Sequence, residues 1–437
     1  MENKINRKIS HDKILSVAYS IVLNVFKRHI STRETKTLKY ESLKGSDKAK
    51  CNDLVQNVLR FTVCLDPWIN KNKKGRLRIE LFCLVRMALI DILIRNVRRE
   101  IVLKKYSDLA SSRERTKYSK DQLRYLIHLA YLELENKDLN PIFLFEQNLR
   151  KTLLNQYCLK DVKKVEKIFS KPSPLDLCIK NGASKKFHFE RFKGSSVDFS
   201  HFRLSKKVSL METEGYLSGD WWVQSLAASL PVKIAPMNFK GKTVLDVCCA
   251  PGGKSFQLAD MGAILTSIDK SEKRLKLMRE SLTRLNFDFE LINVDVFDYK
   301  PKKMYDIILL DPPCTATGTL GKNPDLQFLH PLEKLDELMG IQQKMLERCS
   351  DWLTEDGAII YSVCSLLKEE GENQVAKFLK NNKRFRAVAP KNGGNLKEDG
   401  VEFQKDNGIR IMPFFKEKIG GTEGFYIAYL QAKGKNN

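Results

Sequence analysis

Two cysteines that follow apolar runs are the residues best placed to do chemistry. Cys314 closes Asp311-Pro312-Pro313-Cys314 after the run Tyr305–Leu310, and Cys364 sits in Tyr361-Ser362-Val363-Cys364-Ser365 after the run 358–361. Each run has the length and composition of a buried strand that releases its chain into a loop. A third run, Thr243–Val247, leads into Cys248-Cys249-Ala250-Pro251-Gly252-Gly253-Lys254-Ser255. A thiolate is a strong nucleophile, above all where its pKa is lowered. Two thiols near a glycine turn therefore imply covalent chemistry beside a bound cofactor.

The elements that must position these groups alternate from about residue 211 onward. Strands are predicted at Thr243–Val247, 263–268, 289–293, Tyr305–Leu310 and 358–361, with helices near 254–261, 271–285 and 331–353 and a last strand over 424–430. Strands separated by helical segments call for right-handed crossovers and a parallel, doubly wound α/β sheet. Ligands of such sheets bind beyond the carboxyl ends of the strands. Cys314, Cys364, Gly252, Gly253, Asp269, Asp295 and Asp311 all map to that edge. Residues 1–140 read instead as all-helical, with apolar positions three or four apart at Ile14, Val17, Ala18, Ile21, Val22 and Val25 and again at Leu54, Val55, Val58, Leu59 and Val63. Residues 141–210 form a joining segment that starts helically at 141–157 and becomes turn-rich. The expected domains are thus 1–140, 141–210 and 211–437.

The glycine turn points to a nucleotide-type ligand. Gly252 and Gly253 let the backbone approach a ligand closely, and the helix that starts there offers free N–H groups to a carboxylate. Asp269, closing the second strand, suits a pair of ribose hydroxyls, and Asp295 is placed to read an adenine amino group. A dinucleotide fingerprint would need G-x-G-x-x-G, and a phosphate-binding Walker loop would need glycine where Cys248 stands. The pattern fits S-adenosylmethionine.

These motifs resemble the Sun/Fmu family of RNA (cytosine-C5) methyltransferases, whose bacterial ribosomal branch is called RsmB. The similarity extends over about residues 215–430. It includes Gly219-Asp220-Trp221-Trp222-Val223-Gln224, Thr317-Gly318, Asn323-Pro324-Asp325, and Glu369, Glu370, Glu372 and Asn373 after Cys364. The resemblance implies a class I, Rossmann-like methyltransferase domain that uses S-adenosylmethionine. Its cofactor contacts fall on Cys248, Cys249, Ala250, Pro251, Gly252, Gly253 and Lys254, with Asp269, Asp295 and Asp311. It makes Cys364 the nucleophile that adds to C6 of a cytosine and Cys314 the group that assists release. Asp311 would hold N3 and the amino group of the base, and Lys254 would support the charge change of the ring. Such thiol addition is needed because cytosine C5 is too poor a nucleophile unaided. Enzymes that methylate amino groups carry an aromatic residue after Asp-Pro-Pro, where this chain has Cys314. Either way the base must be flipped to be reached. Two departures stand out, Ser225 where relatives carry Asp and Val363 where they carry Thr. Asn57-Val58-Leu59-Arg60 and Trp68-Ile69 are similar to the NusB-like helical module that precedes the catalytic domain in RsmB proteins, which implies small-subunit ribosomal RNA as substrate.

Bulk composition agrees. The 437 residues carry a net charge of +23, with 42% hydrophobic and 30% charged residues, as expected of a soluble globular protein with a polyanionic partner. Basic residues cluster at Lys71, Lys73, Lys74, Arg76 and Arg78, and again at Arg95, Arg98, Arg99, Lys104 and Lys105, a pattern suited to RNA phosphates. The ten cysteines show no disulfide framework, and with six scattered histidines and no Cys-x-x-Cys pair no metal site is expected. Cys51, Cys64, Cys83, Cys158, Cys178 and Cys349 are expected to pack as small apolar residues. The start of the chain lacks a signal-peptide core, and the run 79–94 is too short and too charged to span a bilayer. A cytoplasmic monomer without membrane or metal partners is expected. The competing classes are a non-catalytic RNA-binding or assembly factor that keeps the fold, and, ranked below it, a membrane-surface binder.

Overall fold

The computed structural model describes residues 2–35, 38–73, 75–111, 120–135, 144–183, 194–198, 200–204, 209–391, 398–405 and 407–434. Lys74 and the expected helix start at Pro141 lie outside these residues. Two compact units divide the chain, one made of residues 1–171 with 320–331, the other of 172–319 with 332–437.

The first unit is all-helical, as the resemblance to NusB-like modules implies. Its helices are α1 (Glu2–Arg28), α2 (Leu38–Glu41), α3 (Gly45–Asn72), α4 (Ile79–Leu93), α5 (Arg99–Ser111), α6 (Lys120–Leu134), α7 (Gln147–Gln156) and α8 (Leu159–Phe169). The apolar repeat on α1 and α3 buries Val22, Leu54, Val58 and Leu59 against Leu81, Val85, Ala88 and Leu89 of α4. So apolar a helix as α4 is a core element rather than a membrane span, and no helix among the described residues is long and apolar enough to cross a membrane. The segment 320–331 completes this unit. Asp325 accepts from the Thr32 backbone N–H at 2.8 Å, Arg60 donates to the Gly321 carbonyl at 2.9 Å, and the Phe328 ring lies 4.8 Å from Phe26.

The second unit begins with a small antiparallel sheet that the sequence reading left as turn-rich chain. Its strands β1 (Leu175–Ile179), β2 (Gly194–Asp198), β3 (His201–Leu204) and β4 (Trp221–Val223) run in the order β2-β3-β1-β4. A buried ion pair fastens it, Arg203 donating to Asp176 at 2.6 and 2.8 Å and to the carbonyls of Ile419 and Gly421.

The rest follows the Rossmann pattern through α9 (Leu226–Lys233), β5 (Thr243–Val247), α10 (Gly253–Asp260), β6 (Ile264–Asp269), α11 (Glu272–Leu285), β7 (Glu290–Asn293), β8 (Tyr305–Leu310), α12 (Leu335–Ser350), β9 (Leu353–Val363) and α13 (Glu372–Asn381). Strands β9, β8, β5, β6 and β7 are neighbours in that order and parallel. The helix expected over 331–353 is shorter, because Leu353 already pairs with Tyr305 and opens β9. The sheet is mixed rather than wholly parallel. Beyond β9 it continues through β13 (Phe425–Ala432), antiparallel to it, flanked by β10 (Phe385–Val388) and by β12 (Ile409–Ile411), which pairs with β11 (Val401–Phe403). Ile308, Ile359, Ile360, Ile427 and Ala428 are fully buried, so the central strands are covered on both faces and read as unbroken apolar runs.

Candidate active site

The five parallel strands deliver their carboxyl ends side by side. Cys364 follows β9, Asp311 and Cys314 follow β8, the segment 248–254 follows β5, Asp269 ends β6, and Asp295 follows β7. The edge thus has a thiol side and a glycine-turn side.

On the turn side, Gly252 has φ +105°, which a side chain rarely adopts, and a Cβ there would lie 2.7 Å from the Phe256 ring. The turn is clamped by Asp269, whose buried carboxylate accepts from the Ala250 N–H at 3.1 Å and from the Ser271 N–H at 2.9 Å. Much of its hydrogen-bonding capacity therefore shapes the turn, a role the sequence reading did not foresee, although a carboxylate offers about four lone-pair sites. Asp295 accepts from the Phe297 N–H at 3.0 Å and lies 4.0 Å from Lys270 Nζ. Cys248 is pushed up to about 12 by burial and then by Asp269 and Asp311, and burial raises Cys249 further. Both stay protonated and pack, Cys249 lying 3.8 Å from the Met278 sulfur.

Between the two sides lies Lys254. Its Nζ is 2.6 Å from Asp311 Oδ2 and 5.4 Å from the centre of the Phe425 ring. Burial works against the ammonium, but the charge and hydrogen bond of Asp311, with Asp246 and Cys364 nearby, outweigh it and raise the pKa above the usual lysine value. Asp246 on β5 is pushed up to about 7, chiefly by burial, against the hydrogen bond from Ser255 and the charge of Lys254. In the unfolded chain this carboxyl ionises near pH 4. The folded state therefore keeps a proton that the unfolded state has lost, so this group's contribution to stability declines as pH rises from about 4 to 7 and is level above that. Relative to the parent, Asp246→Asn should accordingly gain stability between pH 4.5 and 8, by roughly 2–4 kcal/mol in urea melts. An unchanged difference between those two pH values would refute the assignment.

On the thiol side, Cys314 Sγ and Cys364 Sγ are 3.4 Å apart. The Cys314 pKa is raised well above the ordinary thiol value, first by its hydrogen bond with Cys364, then by burial and by Glu370 and Asp311. A polar brace that the sequence did not reveal ties the two loops together. Glu370, fully buried, accepts from the Thr315 N–H at 2.9 Å, from the Thr315 hydroxyl and from Gln342 of α12 at 3.0 Å, and Gln342 also donates to the Pro313 carbonyl at 3.0 Å. Ser365 Oγ lies 3.1 Å from the hydroxyls of both Thr315 and Thr317. Gly318 donates to the Cys364 carbonyl at 3.0 Å, and a Cβ on it would lie 2.1 Å from the Gly424 carbonyl oxygen, so the crossing admits only glycine. Arg410 of β12, buried and paired with Glu372, donates to the Ser365 carbonyl. Glu370, one of the acidic residues that carry the resemblance after Cys364, precedes α13, and its charge contributes to the raised Cys314 pKa.

Other expectations divide. Ser225 caps α9 and donates to Glu423 at 2.7 Å, so an aspartate there would set two carboxylates together, which accounts for the departure. Val363 is fully buried beside Tyr426, a site where a threonine hydroxyl would need a partner. Cys51, Cys83, Cys178 and Cys349 are buried and Cys64 is half-buried, but Cys158 is exposed before α8, its sulfur 3.1 Å from Asp161. All ten cysteines are free, and among the described residues no group of His, Cys, Asp and Glu could hold a metal ion. Of the basic cluster, Lys71 pairs with Glu133 at 3.0 Å and Arg95 with Asp53 and Asp91.

The strand order, the glycine turn and the thiols at neighbouring strand ends define a Rossmann-like methyltransferase domain. Residues 233–431 match the sequence model of the 16S rRNA methyltransferase RsmB/F family. Similar proteins include the ribosomal RNA small subunit methyltransferase B of Shewanella oneidensis, 34% identical over 45% of this chain and 46% of that one. Another is the ribosomal RNA small subunit methyltransferase B of Pseudomonas putida, 33% identical over 52% and 51%. The chain thus matches about half the length of each. Among solved structures, PH0851 superposes with a TM-score of 0.73 at 19% identity, covering 96% of this chain and 98% of that one. A methyltransferase homolog protein from Pyrococcus horikoshii does so at 0.52 and 23% identity, over 66% and 100%. At these identities the likeness is one of fold. The cofactor of the domain is S-adenosylmethionine, and the turn fits it on its own geometry, since Gly252 leaves the backbone bare where a Cβ would collide and the N-terminus of α10 opens beside it.

Proposed function

We propose that this chain methylates C5 of a cytosine in RNA, with small-subunit ribosomal RNA as the target. The observation that carries this reading is the pair of sulfur atoms 3.4 Å apart on neighbouring strand ends, next to the Lys254–Asp311 pair. S-adenosylmethionine supplies an electrophilic methyl group, and the residues that would hold it are 248–254, Asp269, Asp295 and Asp311. The chain's own groups then do the following. Cys364, having given its proton to water, adds as the thiolate through Sγ to C6 of the flipped base, pushing electron density onto C5. Asp311 accepts from the amino group of the base and positions N3, and Lys254 balances the charge that builds on the ring. Cys314 keeps its proton while it is hydrogen-bonded to Cys364. Once the Cys364 sulfur is bonded to carbon it is a poor partner, and the largest cause of the raised Cys314 pKa weakens. Cys314 then gives its proton to water, and its thiolate takes the C5 proton as the Cys364–C6 bond breaks, restoring the aromatic ring and releasing Cys364 as a thiolate.

The test is to incubate the full chain with small-subunit ribosomal RNA and isotopically labelled S-adenosylmethionine, then digest the RNA and identify the labelled nucleoside by mass spectrometry. 5-Methylcytidine is expected. Label in N4-methylcytidine would sink the C5 assignment, and RNA that binds but never gains label would favour a binding factor.

A further inference from the structure

The paired thiols are also placed for a reaction that methylation does not use. Cys314 and Cys364 are free and half-buried, with their sulfurs 3.4 Å apart. A covalent S–S bond is about 2 Å long, so an approach of roughly 1.4 Å separates the present pair from a disulfide. The loops that carry them are stitched together beside the sulfurs. The Gly318 N–H donates to the Cys364 carbonyl at 3.0 Å, and Ser365 Oγ lies 3.1 Å from the hydroxyls of Thr315 and Thr317. These contacts hold the backbone that follows one cysteine against the backbone that follows the other. The sulfurs are thereby kept in register, and rotation of the side chains is enough to close the gap.

Oxidation of a thiol follows its access to the oxidant, and a second thiol beside it decides the product. Cys51, Cys83, Cys178, Cys249 and Cys349 are buried, so a solute meets them poorly. Cys314 and Cys364 lie at the edge where a flipped base must enter, and a hydroperoxide is far smaller than a base. A sulfenic acid formed on one of them has the other sulfur already in contact. It therefore condenses to a disulfide before a second oxidant can carry it on to the irreversible sulfinic acid.

We propose that Cys314 and Cys364 form a reversible disulfide on exposure to a hydroperoxide, which turns methyl transfer off until a dithiol reductant reopens the bond. The loss of activity rests on the RNA-methylating reading given above, in which Cys364 Sγ must be free; the disulfide itself rests on the paired sulfurs alone. The Cys364 thiolate attacks one peroxide oxygen, forming an S–O bond as the O–O bond breaks and hydroxide leaves. The Cys314 sulfur then attacks the Cys364 sulfur, and the departing hydroxide takes the Cys314 proton and leaves as water. Counting the proton that Cys364 first gave to water, two thiols and one hydrogen peroxide become one disulfide and two waters. The two sulfurs together lose two electrons, and the peroxide gains them. The new bond joins the loops after β8 and β9, whereas the glycine turn follows β5, so the oxidised chain keeps its cofactor segment.

The experiment treats the reduced full chain, carrying Cys158→Ser to remove the exposed thiol before α8, with an equimolar amount of hydrogen peroxide. Free thiols are then alkylated, and the unreduced digest is read by mass spectrometry. A peptide pair joined through Cys314 and Cys364, lighter by two hydrogens than its separate parts, is expected. Methyl transfer to small-subunit ribosomal RNA should fall in proportion to that pair, and dithiothreitol should restore both. The oxidised chain should still bind S-adenosylmethionine in calorimetry. In Cys314→Ala the same treatment, given with excess peroxide, should leave Cys364 with two or three added oxygens that dithiothreitol does not remove. Sulfinic acid on Cys364 of the parent with Cys314 still free, or Cys364 joined to a different cysteine, would overturn the proposal. So would lost cofactor binding, since the site would then have collapsed rather than closed. A joined pair in a chain that makes no 5-methylcytidine even when reduced upholds the disulfide and sinks only the catalytic reading. Methyl transfer that persists in the fully joined chain would overturn the switch.

Discussion

Cys364→Ala should abolish methyl transfer, by roughly four orders of magnitude or more, because the proposed mechanism gives the addition to C6 to this thiol alone. Cys314→Ala should fail differently. The thiol that adds is intact, so the base is captured, but the group that takes the C5 proton is gone. Turnover should fall by about 10²–10³-fold, and the RNA should remain attached to the protein through the Cys364–C6 bond. A denaturing gel reads this directly as a slow-migrating band that nuclease shortens. The double variant should show neither product nor adduct. The 3.4 Å separation of the sulfurs makes the prediction sharp, since a base bonded to one sulfur would lie within reach of the other. An adduct in Cys364→Ala and not in Cys314→Ala would reverse the two roles. Full activity in Cys364→Ala would end the covalent mechanism.

Removing Asp311 should damage both chemistry and fold, and the two losses can be separated. Asp311→Ala leaves Lys254 as a buried ammonium without its partner 2.6 Å away. Breaking a fully buried pair costs about 3–5 kcal/mol. The Asp311 side chain is 31% exposed, and water screens part of that, so about 1–3 kcal/mol is expected in a urea melt. Methyl transfer should fall about 10²–10³-fold, as when a preorganised group aimed at developing charge is lost. Replacing both partners, Lys254→Met with Asp311→Leu, removes the stranded charge and should restore most of the stability with none of the activity. Recovery of activity in that double variant would show that the pair serves only the fold.

The parts of the molecule that the sequence disclosed share a physical cause. Thr243–Val247 and Tyr305–Leu310 fall where expected because strands buried on both faces must be apolar throughout, and such runs are short and bounded. The position of the candidate site residues at the strand ends was legible because they follow those runs. Short strands that are not apolar throughout, such as Gly194–Asp198 and His201–Leu204, leave too little pattern to see, so the small antiparallel sheet stays hidden in turn-rich sequence. The antiparallel side of the main sheet was hidden because pairing direction leaves no mark on composition. The brace around Glu370 was invisible for another reason. Thr315, Gln342 and Ser365 are polar residues that a sequence places at the surface by default, and only their mutual satisfaction makes their burial possible. Asp269 shows the converse, a residue whose position was foreseen while its work, holding the glycine turn, was not.

The helical unit takes residues 320–331 from far along the chain. During synthesis, its first 171 residues leave the ribosome without the carboxylate that Thr32 needs, the carbonyl that Arg60 needs and the aromatic ring that covers Phe26. Domains made first usually fold first. Here the earlier one must wait for a piece encoded between β8 and α12 of the later one. The two are therefore bound in time as well as in sequence, and a nascent chain cannot finish its helical module until strands β5 to β8 of the main sheet have also been translated.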